Sequence, residues 1–503
     1  MNDATRLPQS SRKSFRLDIR SRTLFVGIPT TVISLMMLLA VSDEARMLTA
    51  AVLAIANIAV WFLVILWNRD TAPPIFEVGT ICVGFTALYS IYPLFAFLMA
   101  GGIWTPLSDS RLQQWTPDMH ALGRFAWRYV AYLGAFAGMY LALRGRASAT
   151  AISMRPLSRS GALVVVWLFL ALTTYFAALL IVYGVSYDPS YQDVQLGLVG
   201  VSQDLPYLLQ QISHNLRGVL VILKICGVAL LMHSWRSPLS RTLLAIFLVA
   251  EVVATGFRMG ARSDTVILLI AVALLYHRIV CPLSTRIIAA AGVGLLCLAL
   301  LYGFARDFAR AGTAARSASY WSAANEFQIL MGTGYDLHMR NVTGALPPVP
   351  WQVHASDLLR LIPSQALPVA KVEPADWYLE QLKLQGKDVG LMFGVTAQSV
   401  IGYDWIDLVA RGALLGALFA VLHRLYVANA TSFWASVLYL YVCLWSYYTF
   451  RASTFYFLYV ILYRFLPTMI AVRVGAGLVR QVCAKYAPAQ QPATLSSSSC
   501  AES

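Results

Sequence analysis

Apolar runs of about twenty residues recur along most of this chain, and no other feature restricts its fold as strongly. A run of that length crosses the hydrocarbon layer of a bilayer as a helix. Inside lipid each backbone amide needs an internal partner, which leaves helices as the reading of these runs. They fall near 24–41, 47–67, 76–100, 120–143, 161–183, 217–233, 242–256, 264–277, 287–304, 403–423, 431–449 and 454–472. The expectation is an all-α polytopic membrane protein of about twelve spans, with the seventh and eighth forming a tight hairpin. Composition agrees, with 58% hydrophobic and 12% charged residues.

Basic residues in short segments set the expected orientation. The N-terminal segment carries Arg6, Arg12, Lys13, Arg16, Arg20 and Arg22; segment 144–160 carries Arg144, Arg146, Arg155 and Arg159; the C-terminal segment carries Arg473, Arg480 and Lys485. With twelve spans all three lie on one side, which the positive-inside rule makes cytoplasmic. The expected layout is a basic cytoplasmic N-terminus (1–23), nine spans (24–304), a large outward loop (305–402), three spans (403–472) and a cytoplasmic tail (473–503) without order from about 487.

The net charge of +14 partly records this topology. No basic run with interleaved aromatics points to nucleic acid. The polar N-terminus is unlike a signal peptide, so the first apolar run reads as a retained span. All seven cysteines fall in expected spans or on the cytoplasmic side, so no disulfide framework is indicated. No close His or carboxylate group has metal-ligand spacing, and Gly475-Ala476-Gly477 follows no strand and lacks the phosphate-loop lysine, so neither metal nor nucleotide cofactor is expected. Asp43-Glu44 reads as a helix cap.

An ionisable residue within a span costs about 2.5–3.5 kcal/mol on insertion scales, so each one needs a reason. Lys224 and Glu251 sit at comparable depth on adjacent spans; they neutralise each other, or Lys224 reaches a phosphate. His120, Arg124 and Arg128 repeat every four residues along one helical stripe, which calls for an anion or for snorkelling to the interface. Arg464 in the last span is expected to snorkel. The turn Gly256-Phe257-Arg258-Met259-Gly260-Ala261-Arg262-Ser263-Asp264 puts two arginines outward, against the charge bias. The planar fork of arginine suits phosphate oxygens. Arg451 is a third outward arginine, between the last two spans.

The loop from 305 to 395 is the polar exception in the chain. It bears Arg306, Arg310, Glu326, His338, Arg340, His354 and Arg360, a kit for an anionic lipid-linked substrate. Tyr320, Trp321, Tyr335, Trp351, Trp377 and Tyr378 offer rings that stack on sugars or rest on the interface.

In order, the Gly-x-Arg-Ser turn opening a helix, an inward loop, one more span and a large outward loop resemble the O-antigen polymerase and ligase superfamily. Asn325-Glu326 early in the loop, Leu361-Ile362-Pro363, the small-residue lead-in Gly390 to Ser399 followed by Gly412 and Gly416, Arg451, and Leu466-Pro467 are similar to the polymerase branch. The resemblance covers roughly 240–470, with a weaker match near Pro73–Phe76. The lead-in departs from the family's acidic and Tyr/Asn pattern, for which Gly402-Tyr403-Asp404 is the substitute. The ligase branch places a histidine just before the next span; His338 and His354 lie well before that point.

The resemblance implies a GT-C-like membrane glycosyltransferase that polymerises undecaprenyl-pyrophosphate-linked oligosaccharide units at the outer face of a bacterial inner membrane. A chain-length regulator is a further partner it allows. The implied catalytic set is Glu326 as base, with His338 or His354 as substitutes, and Arg258 and Arg262 stabilising the departing pyrophosphate. Arg306, Arg310, Arg360 and Arg451, with Lys224, Arg124 and Arg128 deeper in the wall, are the implied pyrophosphate and glycan contacts. The alternatives are a ligase and a flippase of lipid-linked sugars.

Overall fold

The computed structural model describes residues 23–69, 77–99, 118–145, 154–184, 206–256, 262–281, 326–363, 366–382 and 393–486, with isolated positions between 283 and 294. Among them every regular element is helical. In chain order these are α1 (Ile28–Ala40), α2 (Asp43–Arg69), α3 (Val78–Met99), α4 (Met119–Leu143), α5 (Arg159–Tyr183), α6 (Tyr207–His233), α7 (Pro238–Gly256), α8 (Arg262–Leu275), α9 (Glu326–Val342), α10 (Trp351–His354), α11 (Ser356–Leu359), α12 (Pro374–Gln381), α13 (Val395–Ile401), α14 (Trp405–Ala428), α15 (Phe433–Trp445), α16 (Tyr448–Arg451), α17 (Tyr456–Val460) and α18 (Leu466–Tyr486).

Each apolar run read from the sequence coincides with helix, except 287–304, which lies almost wholly outside the described residues. Among the described residues six stretches are long and apolar enough to cross a membrane: Asp43–Asn68, Val78–Leu98, Arg159–Tyr183, Asn215–His233, Trp405–Ala428 and Tyr456–Tyr486. Helix α4 has the length but not the apolarity, and its surroundings explain why. Leu122, Phe125, Tyr129, Tyr132, Leu133, Phe136 and Tyr140 are all buried against other helices. A helix wrapped by protein does not need a uniformly apolar surface. By contrast α5 leaves Trp167 and Ile181 widely exposed, a surface that only lipid or another apolar body would cover.

The chain divides into two compact units: Met1–Met154 with Arg262–Ile461, and Arg155–Ala261 with Leu462–Ser503. In the first, α2, α4 and α14 run in the same direction. Gly123 of α4 meets Leu48 of α2, and further along Phe62 of α2 meets Tyr140 of α4. On the other side Gly412 faces the carbonyl of Tyr132, and Gly416 faces that of Phe136. Two small residues four apart let helix backbones approach closely, the device of tightly packed membrane helices.

At the ends of α4 and α14 remote from the loop, Arg144 and Glu77 form a fully buried ion pair, with Tyr140 donating to Glu77. Arg144 was expected in a cytoplasmic loop. It caps α4 instead, and its charge is spent inside the protein.

In the second unit Lys224 Nζ of α6 lies 2.6 Å from Glu251 Oε1 of α7, which selects mutual neutralisation between the two readings above. Arg464 does not snorkel. It is 5% exposed, and its stem lies where a side chain at Gly218 of α6 would be.

The described part of the large loop is a folded cap with its own nucleus: Leu337, Val353, Trp377, Tyr378, Phe393, Ala397, Val400 and Ile401. Trp377 and Tyr378, read as sugar-stacking rings, are therefore 3% and 1% exposed core residues. A long polar segment orders only if it buries apolar area of its own, and these rings supply it. Tyr335 is buried too, while Trp351 is exposed. Tyr320 and Trp321 lie outside the described residues.

Candidate functional site

The cap joins the helical bundle through the turn Gly402-Tyr403-Asp404, between α13 and α14. Backbone hydrogen bonds from Gly402 N to Gln398 O (3.1 Å) and Asp404 N to Ser399 O (2.9 Å) close it. Asp404 sits at φ 54°, ψ −120°, a conformation that a residue with a Cβ adopts at a cost of about 1–3 kcal/mol. Its carboxylate holds the position. One oxygen binds Arg128 Nη1 and the other lies 3.1 Å from Arg128 Nη2, a bidentate fork.

Arg128 is 2% exposed, so an uncompensated charge there would be costly. The anion called for by the cationic stripe on α4 is thus supplied from within the chain by Asp404. The Trp405 ring lies 4.8 Å from the guanidinium, adding a cation–π contact. Arg128 Nε is buried with no hydrogen-bond partner among the described residues. His120 and Arg124, earlier on the same stripe, are exposed.

His338, on α9, places Nδ1 3.0 Å from Arg128 Nη2. Guanidinium nitrogens only donate, so Nδ1 accepts and the ring's proton sits on Nε2. Burial, and next the Arg128 charge, push the His338 pKa down to about 4. The ring is neutral at physiological pH, with its basic lone pair occupied. In this arrangement His338 orients Arg128 rather than standing ready to take a proton.

A second arginine hub lies about two turns further along, in α14. Arg411 Nε donates to Asp407 Oδ2 (2.7 Å), and Nη1 donates to Asp357 Oδ2 of α11 (2.5 Å) and Gln398 Oε1 of α13 (3.3 Å). Ser453 donates to Asp357, and the Thr454 amide reaches Gln398 Oε1 at 3.4 Å. One partly buried guanidinium thereby ties together the cap, α14 and the break before α17. Beside it opens a small cleft of about 60 Å³, lined by His354, Ser356, Gln398, Gly402, Tyr403, Asp407 and Arg411 among others.

The remaining expected residues divide clearly. Arg360 pairs with Glu373, with its guanidinium 5.1 Å from the Tyr456 ring. Arg340 pairs with the buried Asp336, which also accepts from Tyr378. Arg451 lies 5.6 Å over the Tyr448 ring. His354 is exposed, its ring stacked beside Tyr403 at 6.4 Å. Arg262 is the first residue of α8 and Glu326 the first of α9, and their side chains lie outside the described residues. Arg258, Arg306 and Arg310 lie outside them entirely. Arg128, Arg411, Asp404, Asp407, Asp357 and His338 are thus drawn to one junction, while Lys224 belongs to the other unit.

Arg411, Asp407 and Asp357 were missed from the sequence. The signal was present, since the expected span 403–423 contains Asp404, Asp407 and Arg411. Three ionisable residues in one apolar run mark either a site or a buried network.

The class defined by the described residues is an all-helical membrane protein, with six helical stretches among them suited to crossing a bilayer and a folded polar cap set on a charged junction. No family model, curated protein or solved structure matches the chain.

Proposed function

We propose that the chain is a membrane glycosyltransferase that polymerises undecaprenyl-pyrophosphate-linked oligosaccharide units at the outer face of a bacterial inner membrane. The observation that carries this reading is the junction itself. A folded polar cap is fastened to apolar helices through two arginine hubs, one buried and one partly buried, with an open cleft between cap and helix. Conduction or anchoring calls for no such construction, whereas chemistry on a lipid-linked substrate needs side chains to converge at the end of apolar helices. Two further points support it. Spans numbered two, four and ten in the twelve-span layout would share a direction, as α2, α4 and α14 do. Arg262 opens a helix, as the Gly-x-Arg-Ser resemblance requires.

In the proposed reaction the acceptor hydroxyl attacks the anomeric carbon of the donor sugar as the bond to the pyrophosphate oxygen breaks. The hydroxyl proton passes to a carboxylate, Glu326 in our assignment, and undecaprenyl pyrophosphate departs with the bonding electron pair. Arg258, Arg262, Arg306, Arg310 and Arg451 are assigned to the developing charge, and Arg124 to the lipid phosphate. Arg128, Arg360 and Lys224 already hold carboxylates, so in this reading they position helices and cap.

A gel of surface and lipid-linked glycans from a strain lacking the gene tests the assignment. Collapse of the long-chain ladder to single units on the normal acceptor is the expected result. Long chains stranded on the lipid carrier would mean a ligase, and units trapped on the cytoplasmic face would mean a flippase.

A further inference from the structure

The cleft beside Arg411 has a chemistry of its own. Arg411 commits Nε and Nη1 to protein acceptors, while its Nη2 donates to none of the described residues. Asp407 commits Oδ2 to Arg411, and its Oδ1 likewise has no partner among them. Both residues line the cleft, one turn apart on α14, so a free donor and a free acceptor are available side by side. Gly402 keeps the space open, since a Cβ there would lie 2.7 Å from Asp407 Oδ2.

Charge decides what fits. Arg411 contributes one positive charge, and Asp357 and Asp407 contribute two negative ones, so the hub is net negative and repels phosphate. A hydroxyl, which both donates and accepts, matches a carboxylate and a guanidinium set side by side. The volume of about 60 Å³ is several times the ~10–15 Å³ that one water needs, enough for the hydroxyl edge of a sugar but not its whole ring. At the cleft mouth stands Tyr403, 80% exposed, an aromatic surface on which the rest of a ring can lie.

We propose that this cleft is a binding subsite for an uncharged sugar ring of the lipid-linked oligosaccharide, held at its hydroxyls by Asp407 and Arg411 and stacked on Tyr403. The assignment of the sugar to a lipid-linked oligosaccharide rests on the polymerase reading; the subsite chemistry does not. It separates recognition in two, with the glycan read at the turn into α14 and the pyrophosphate by the cations elsewhere.

Direct binding tests it on the purified full-length protein in nanodiscs. One probe is the phosphate-free repeat oligosaccharide released from its lipid by mild acid; the other is undecaprenyl pyrophosphate without glycan. Tyr403→Ala, at a widely exposed position, and Gly402→Ala, which fills the cleft, should each weaken oligosaccharide binding at least tenfold and leave undecaprenyl pyrophosphate binding unchanged. Oligosaccharide binding that is absent from the unmodified protein, or that both variants keep at its unmodified strength, overturns the subsite. So does a loss confined to the pyrophosphate probe. If the variants lose oligosaccharide binding while a strain without the gene keeps its ladder, the polymerase reading falls and the subsite stands.

Discussion

Gly416→Ala is expected to destabilise the protein, although the same change in an ordinary helix is stabilising by about 1 kcal/mol. The reason is the approach of α14 to α4. A Cβ on Gly416 would collide with the carbonyl oxygen of Phe136 and sit 3.1 Å from the amide nitrogen of Tyr140. Both are backbone atoms, so no rotamer change relieves the contact, and the helices must separate. Overpacking a tight core costs about 1–3 kcal/mol even where side chains can yield. Separation also opens the aromatic packing of Phe136 on Phe419. Gly138→Ala on α4 is the control, because a Cβ there meets nothing within 4 Å. Thermal unfolding in detergent should show a lower midpoint for Gly416→Ala and an equal or higher one for Gly138→Ala. Equal behaviour of the two variants would mean that α4 and α14 are not in close contact.

Arg128→Met carries the second large effect. Removing one partner of a buried pair costs about 3–5 kcal/mol when the other charge is left fully buried. Asp404 is partly exposed, so the loss should fall toward or below the lower end of that range. The strained turn also loses the contact that holds it, so on the proposed function sugar-polymer formation should fall with stability. Adding Asp404→Asn removes the orphaned charge and should recover part of the stability, and that coupling identifies the pair as the cause.

The same variant has a signature in pH. His338 has a folded-state pKa of about 4, below the ordinary 6.5, so on acidification the unfolded chain takes up this proton first. The stability associated with the neutral ring is complete above about pH 6.5 and is lost as pH falls through about 4. Without Arg128, one cause of the depression is gone and Asp404 remains, so the folded pKa rises. The drop in unfolding midpoint between pH 7.5 and pH 4.5 should then be smaller in Arg128→Met than in the unmodified protein. An equal drop in both would show that Arg128 does not act on His338.

The helices were legible in the sequence because their signal is local: a twenty-residue apolar run needs no partner to be recognised. Even there α4 shows a limit, since a helix enclosed by protein can carry tyrosines, glycines and a buried arginine without lipid-like apolarity. The junction was legible only in part. Arg128 was recognised by its spacing, but its counter-ion lies 276 residues away at Asp404, a distance no periodicity reveals. Arg144 looked like a topological charge because its loop is short and basic, while its partner Glu77 sits at the start of another helix. Trp377 and Tyr378 looked like ligand contacts because polar surroundings in sequence hide a core built from four separate helices.

Reconstitution of the purified protein in proteoliposomes with lipid-linked repeat units is the decisive test of the proposed polymerase. A ladder of elongated glycans is expected, with one undecaprenyl pyrophosphate released for each new linkage. Transfer of the units across the bilayer without any new glycosidic bond, or no turnover by folded protein, would contradict it.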